Sequence, residues 1–426
     1  MQWFIWEKFV SLVELVPPIV WLTFGSLAIA VAVGAAGSYA LVLFQRRRAP
    51  TPPASPVARP RPTRDVYAAA YDYEPAGRLD SSSDFQVLLL CSPVSGSGEG
   101  IDLYERVVRR MLRKANIRSE VVFLERGSQA FETAAELDVH AYSALGIIGG
   151  DKVVHEVLQG LSHSCDGEED TLRAVLAKLP FAIVPCGARN GLAASLGITD
   201  AFEGTKRLVE AVLKGGTGRS VDLYSARRIT APKLPIYDSY LTTWGVAADV
   251  SLAVERGWQF IPRSWRLWVA CVRALFRLRP KVGVMTLKVQ PQSPVEIAGK
   301  NLPQPETKTV TLSGMFTMVV VCNVSRVSPG FVIAPDAKPD DGRLHVSVVR
   351  HCSRWHALRT VLAASAGEQF SAFPWVQSFV CSEVSILNET GELDICGFGE
   401  EELEPSAGPG DGVTVRSLPR MAKVFY

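Results

Sequence analysis

Three times in the first half of this chain an apolar run of strand length stops at a glycine-rich loop, and a helical pattern follows. The runs are residues 85–91, 144–148 and 181–184. Their loops read Ser92-Pro93-Val94-Ser95-Gly96-Ser97-Gly98, Gly149-Gly150-Asp151-Lys152 and Pro185-Cys186-Gly187-Ala188-Arg189-Asn190. A further apolar run, 121–124, falls between the first two, and helical spacing marks 103–112, 152–161 and 201–214. Strand, loop and helix in alternation predict a mostly parallel sheet with helices on both faces. Ligands of such sheets collect at the carboxyl ends of the strands, where these loops fall. Glycine lets backbone N–H groups approach phosphate oxygens, and the N-terminus of a following helix favours negative charge. Three such loops in order, with an aspartate inside the second, point to a nucleotide site.

From about Val221 the texture changes. Short β-like runs recur at 239–244, 282–289, 316–322, 344–349 and 379–387, with one helical interruption at 264–279. This predicts a second, mainly antiparallel β domain, with the site in the cleft between the two. The expected division is an α/β domain at 85–220 and a β domain at 221–426.

Ahead of these, no charged residue stands between Glu14 and Arg46, and 19–44 is almost continuously apolar. At about 1.5 Å per residue such a run crosses a hydrocarbon core of about 30 Å. A cleaved signal peptide would have a shorter apolar region behind basic residues. The expectation is an amphipathic segment at 1–16 and a transmembrane anchor at 17–45. Arg46, Arg47 and Arg48 follow it, so the positive-inside rule gives a single-pass membrane protein with everything downstream of the anchor in the cytosol. Ser26, Ala30, Gly34 and Ser38 form a stripe of small residues through which two such helices could pair as a homodimer. Residues 46–84, rich in proline and arginine, read as a disordered basic tether.

The net charge of +2 argues against nucleic acid as a partner. The eight cysteines form no C-x-x-C pair, which argues against zinc and a disulfide framework and for reduced, mostly buried thiols. No set of metal-ligating side chains is assigned.

The loops and several later segments resemble the sphingosine kinase and diacylglycerol kinase superfamily. Residues 87–98 look like the family's strand and Asn-Pro-x-Ser-Gly-x-Gly loop. GGDKVVHEVLQGL at 149–161 resembles its Gly-Asp-Gly segment and following helix, and PCGARNGLAASL at 185–196 its Pro-x-Gly-Ser-Gly-Asn loop. YLTTWGVAADV at 240–250 is similar to a sphingosine kinase segment ending in Ala-Asp-Val, and 335–345 to the Ala-Pro…Asp-Gly-x-Leu turn. The resemblance covers 85–426. It implies a Rossmann-like nucleotide-binding α/β domain plus a C-terminal antiparallel β-sandwich that binds lipid, with ATP and Mg²⁺ as cofactors and a sphingoid base or diacylglycerol-like lipid as substrate at a membrane.

By position, Asp151 matches the family's catalytic aspartate, which would take the proton of a lipid hydroxyl as it attacks the γ-phosphate. The nucleotide would lie against Ser92, Ser95, Gly96, Gly98, Gly149, Gly150, Lys152, Gly187, Arg189, Asn190 and Glu400. Asp249 matches the acid that recognises a sphingoid amine. The other reading of Asp151 is a helix N-cap; that of Asp249 is a solvated turn acid. His155 and Glu156 lack H-E-x-x-H spacing and read as packing residues.

The helix expected at 264–279 carries Arg266, Arg273 and Arg277 on one face, with Trp265 and Trp268 among its apolar residues, and Trp258 and Phe260 precede it. Those four aromatics suit a lipid–water interface, and in the family this region forms part of the lipid-pocket entrance. A domain helix with a solvated arginine face and a calmodulin-type target helix are the other readings.

Four positions depart from the family. Ser92 replaces an asparagine, Lys152 and Arg189 replace glycines, and Phe398-Gly399-Glu400 stands for Asp-Gly-Glu. Two functions remain open: a lipid kinase, and a catalytically impaired pseudokinase that binds lipid or a protein partner. Asn323 and Asn388 begin N-x-S/T sequons, acceptors only in a lumenal domain.

Overall fold

The computed structural model describes residues 65–80, 83–96, 98–125, 128–187, 189–229, 234–256, 263–289, 308–368, 371, 373–389, 395–397 and 410–426. The chain from Asp65 to Tyr426 forms one compact unit. Its first element, helix α1 (Val66–Asp72), falls inside the stretch read as tether. Asp65 caps it, accepting from the amides of Tyr67 and Ala68. Ala70 is buried, and the guanidinium groups of Arg106 and Arg110 lie over the rings of Tyr67 and Tyr71. Seven residues hold no helix alone in water; docking makes this one.

The α/β half follows in the expected alternation. β1 (Gln86–Cys91) leads through α2 (Gly100–Leu103), a π turn (Tyr104–Val108) and α3 (Arg109–Lys114) to β2 (Arg118–Phe123) and α4 (Gln129–Ala135). Then come β3 (Ala144–Gly149), α5 (Asp151–His163), α6 (Glu169–Lys178), β4 (Phe181–Pro185), α7 (Gly191–Ser195) and α8 (Ala201–Leu213). The strands pair in parallel in the order β2-β1-β3-β4. Side chains alternate across a strand, and both faces are covered: Leu88 and Leu90 pack with α5 and α6, while Val87, Leu89 and Cys91 pack with α3 and α8. That is why β1 reads as an unbroken apolar run.

The β half comprises β5 (Arg219–Arg228), β6 (Ile236–Asp238), β7 (Leu241–Gly245), α9 (Val246–Arg256), α10 (Arg263–Phe276), β8 (Lys281–Val289) and β9 (Lys308–Cys322). It continues with β10 (Arg326–Ser328), β11 (Phe331–Val332), β12 (Leu344–Arg350), α11 (Arg354–Ser365), β13 (Val376–Asn388), β14 (Ile395–Gly397) and β15 (Gly412–Val424). The long strands change partner midway. β9 pairs with β8 through Phe316, with β12 from Phe316 on and with β7 from Met318 on. Alternate inward residues, among them Met285, Leu287, Val319, Val321, Val346, Val384, Ile386 and Val413, join Trp244 and Phe316 in one core. Full burial of an aliphatic side chain contributes about 1.5–3 kcal/mol.

β15 joins the halves. It runs antiparallel to β5 and β13, and its last residue, Val424, pairs in parallel with Phe181 of β4. The amide of Phe425 donates to the Phe181 carbonyl at 2.9 Å. One hydrogen-bonded sheet therefore runs through both halves.

The expectation of a single-pass membrane protein with a cytosolic catalytic domain is corrected here. Among the described residues no helix is long and apolar enough to cross a membrane. α10, with 14 residues, reaches only about 21 Å against a hydrocarbon core of about 30 Å. The segments expected at 1–16 and 17–45, and the small-residue stripe, lie outside the described residues. Asn323 and Asn388 are both buried, so neither sequon is accessible in the folded protein.

Candidate phosphate-loop site

The three glycine loops meet at the carboxyl ends of β1, β3 and β4. Ser92, buried, ties the first to the second strand by donating its amide to the Ile148 carbonyl at 2.9 Å. The Cys186 amide donates to the Gly149 carbonyl at 3.1 Å, tying the third loop to the second. Gly96 has φ +60°, and a Cβ there would collide with the Cys186 carbonyl. Gly150 and Gly187 press backbone to backbone; a Cβ on Gly187 would lie 2.5 Å from the Gly150 Cα. These contacts require glycine for close approach between loops. Gly98, at φ +88°, faces open space, its nearest neighbour being the Pro93 carbonyl at 3.8 Å from an ideal Cβ. Within the first loop the Ser95 and Gly98 amides donate to the carbonyls of Ser92 and Ser95.

Asp151 is the first residue of α5, after the extended Gly150 N-cap. It does not cap its own helix. Its Oδ2 accepts from the Gly191 amide at 2.9 Å and its Oδ1 from the Leu192 amide at 3.0 Å, the first turn of α7. Burial pushes its carboxyl above the ordinary range; the Leu192 and Gly191 amides and then the Arg189 charge pull it back, and Asp238 adds to the rise. An ionised carboxylate accepts about four hydrogen bonds, so each oxygen keeps a lone pair for a proton.

The two cations at former glycine positions are not strained. Among the described residues, non-glycine residues with positive φ include Asn190 at +53° but neither Lys152 nor Arg189. Asn190 has its own support: its Oδ1 accepts from the Gly187 amide at 2.9 Å and its Nδ2 donates to the Gly187 carbonyl at 2.7 Å. Lys152 leans along α5 to Glu156, Nζ to Oε1 3.7 Å, with both near the surface. Arg189 is partly exposed, and its charge reaches Asp151 and Tyr240.

The remaining expected residues fall elsewhere. Asp249 stands part-buried in the first turn of α9, on a helix rather than in a turn. Trp265 and Trp268 lie on α10, where Val272, Arg273 and Phe276 are exposed, as is Arg277 directly after it. Trp258, Phe260 and Glu400 lie outside the described residues. One acid went unread in the sequence: Asp238, at the end of β6, is buried against α5 and pairs with His155. A lone acid ahead of an apolar strand carries no periodic signal. Cys91 and Cys186, near the loops, are pushed by burial up to about 12, which keeps both as thiols.

Comparison with known proteins agrees with this geometry. Residues 86–226 match the family described as Diacylglycerol kinase catalytic domain, and 242–425 that described as YegS C-terminal NAD kinase beta sandwich-like domain. Sphingosine kinase 1 of Mus musculus is 26% identical over 356 residues, covering 75% of this chain and 89% of that protein. Sphingosine kinase 1 of Homo sapiens is 27% identical over 308 residues, covering 66% and 77%. A diacylglycerol kinase structure from Bacillus anthracis str. Sterne shares the fold, with a TM-score of 0.53 and 14% identity over 82% of this chain and 98% of that one. With catalytic and β-sandwich domains matched in order, and relatives aligned across most of its length, the chain belongs to the sphingosine kinase and diacylglycerol kinase superfamily.

Proposed function

We propose that the protein is a lipid kinase that transfers the γ-phosphate of ATP to the hydroxyl of a sphingoid base or a related lipid alcohol. The observation that carries this is the Asp151 carboxylate: enclosed, held by two backbone amides among the three glycine loops, and left with lone pairs to accept a proton. The residues present fit a nucleotide's phosphates. Gly98 leaves open space after β1, and α5, which begins at the end of the neighbouring strand β3, presents an N-terminus that favours negative charge. In the proposed step the lipid oxygen bonds to the γ-phosphorus, the bond to the bridging oxygen breaks, and ADP leaves. The hydroxyl proton passes to Asp151, whose raised proton affinity suits it to that role. Among the described residues no cluster of three or more ligating side chains could hold a metal. The divalent ion that the family implies would come with the phosphates and neutralise their charge.

The sphingoid preference rests on the named relatives and on the position of Asp249, whose carboxylate would pair with an ammonium. The pseudokinase reading has its own support. Asp151 already organises α7, a task that needs no catalysis, and Arg189 brings bulk to a glycine position.

The test is transfer of labelled phosphate from ATP to sphingosine and to diacylglycerol by the purified protein. Product that disappears in Asp151→Asn, with a cooperative melt showing that the variant is still folded, is the expected result. Absence of any nucleotide-dependent thermal shift at millimolar ATP would favour the pseudokinase.

A further inference from the structure

One turn beyond Asp151 on α5, His155 faces the β half. Its Nδ1 lies 3.1 Å from Asp238 Oδ2, and the two side chains are 3% and 2% exposed. Asp238 receives further donors: Oδ1 accepts from the amides of Ser239 at 2.6 Å and Tyr240 at 3.2 Å, and Oδ2 from the Tyr224 hydroxyl at 3.4 Å. The Tyr224 oxygen in turn accepts from Thr242 Oγ1 at 2.9 Å, so its own proton is free for Asp238. Every other group that faces Asp238 donates to it, so the hydrogen-bond pattern assigns the proton shared with His155 to Nδ1.

That arrangement turns Nε2 into an enclosed atom with no partner, and it does not stand alone. Ser239 Oγ and both amide atoms of the Asn323 side chain are also buried and unpartnered. Each belongs to the same neighbourhood, since the backbone N–H of Asn323 donates to the Tyr240 carbonyl at 3.2 Å. An unmet buried polar group costs about 1–3 kcal/mol, so a concentration of them beside a candidate base is not explained by packing.

The turn they surround leads straight to that base. The Tyr240 hydroxyl donates to the Val327 carbonyl, and its ring lies so close to Gly191 that a Cβ there would sit 2.5 Å from the phenol oxygen. Gly191 is one of the two residues whose amides hold Asp151.

We propose that Asp238 and His155 are positioning residues for phosphoryl transfer: Asp238 fixes the imidazole and the 238–240 turn, the turn seats Tyr240 against Gly191, and the α7 amides are thereby kept on the Asp151 carboxylate. This rests on the lipid kinase reading of the site. The pair comes from β6 and α5, so it also locks the β half to the catalytic helix at the point where geometry matters most. Neither residue touches the reacting atoms in this scheme.

Two measurements test it. Nitrogen NMR of histidine-labelled wild-type protein reads the imidazole directly. The expected signal for His155 is a proton held on Nδ1, lost in Asp238→Asn; a bare Nδ1 with the proton on Nε2 overturns the proposal. Steady-state transfer to sphingosine by Asp238→Asn and His155→Gln is the second. Misplacing a catalytic group by a fraction of its reach lowers kcat by roughly ten- to a hundredfold, with KM for ATP within about twofold of wild type. Wild-type kcat in both variants overturns the positioning role while leaving the kinase reading intact. A wild-type protein that transfers nothing, although Asp238 still holds the Nδ1 proton, overturns the kinase reading and this role with it.

Discussion

The carboxylate of Asp151 reaches the backbone amide of Leu192 at 3.0 Å across 41 residues of chain, and with it the second glycine loop governs the start of the helix after the third. Asparagine at 151 keeps one acceptor and turns an NH₂ towards the other amide. Asp151→Asn is expected to lower transfer by about 10²–10⁴-fold and stability by no more than about 1–3 kcal/mol. Labelled-phosphate transfer and urea melts on the same preparation check both.

The pH dependence follows from the environment of Asp151. A general base works when ionised, and burial raises this carboxyl, so the rate should climb with pH through a midpoint above the ordinary carboxylate value of about 4. Arg189 opposes the rise, so Arg189→Gln should move that midpoint to higher pH. Initial rates over a pH series of both proteins decide it; a midpoint that drops in the variant contradicts the assignment.

Gly96→Ala puts a methyl group into the Cys186 carbonyl at a positive φ. The backbone penalty alone is about 1–2 kcal/mol, and the loop must shift to relieve the clash. Reduced stability together with a diminished ATP-dependent thermal shift is the expected pattern, read by scanning fluorimetry.

Lys152 behaves as a surface cation paired with Glu156. Part-exposed i,i+4 pairs at a separation of 3.7 Å contribute little, so Lys152→Ala should change stability by less than about 1 kcal/mol. ATP should still shift the melt. An ATP shift that becomes much larger in the variant would identify the lysine as an obstruction.

Phe425 is buried against the helices of the α/β half, directly after the strand that spans both halves. Phe425→Ala should cost about 3–5 kcal/mol. Because one sheet runs through the molecule, urea should unfold the variant in a single transition seen alike by tryptophan fluorescence, reporting chiefly on the β half, and by far-UV circular dichroism.

The parallel strands and their loops were legible because burial on both faces writes a continuous apolar run, and because glycine marks the places where loops touch. Asp151 was legible by position, though its partners, the amides of α7, were not: backbone donors leave no trace in a sequence. Asp249 was read as an amine-recognising acid or a solvated turn acid, and the helix that carries it, α9, which starts directly after β7, was not foreseen. α1 was hidden in a stretch whose proline and arginine content resembles a tether, and it is held by contacts to Arg106 and Arg110 that no local pattern reveals. The pairing of Val424 with Phe181 was equally out of reach, since register between distant strands is set by the packed whole. Asp238 shows the same limit at the site: its value lies in the donors gathered around it from β5, α5 and its own turn.

The terminal strand has a consequence for any attempt to divide the protein. A fragment ending before Gly412 would strip the Phe181 end of β4 of its neighbour and expose bare N–H and C=O groups beside an apolar surface. Such a border recruits strands from other copies. That fragment should therefore precipitate or form oligomers, and supplying residues 412–426 as a separate peptide should restore its solubility.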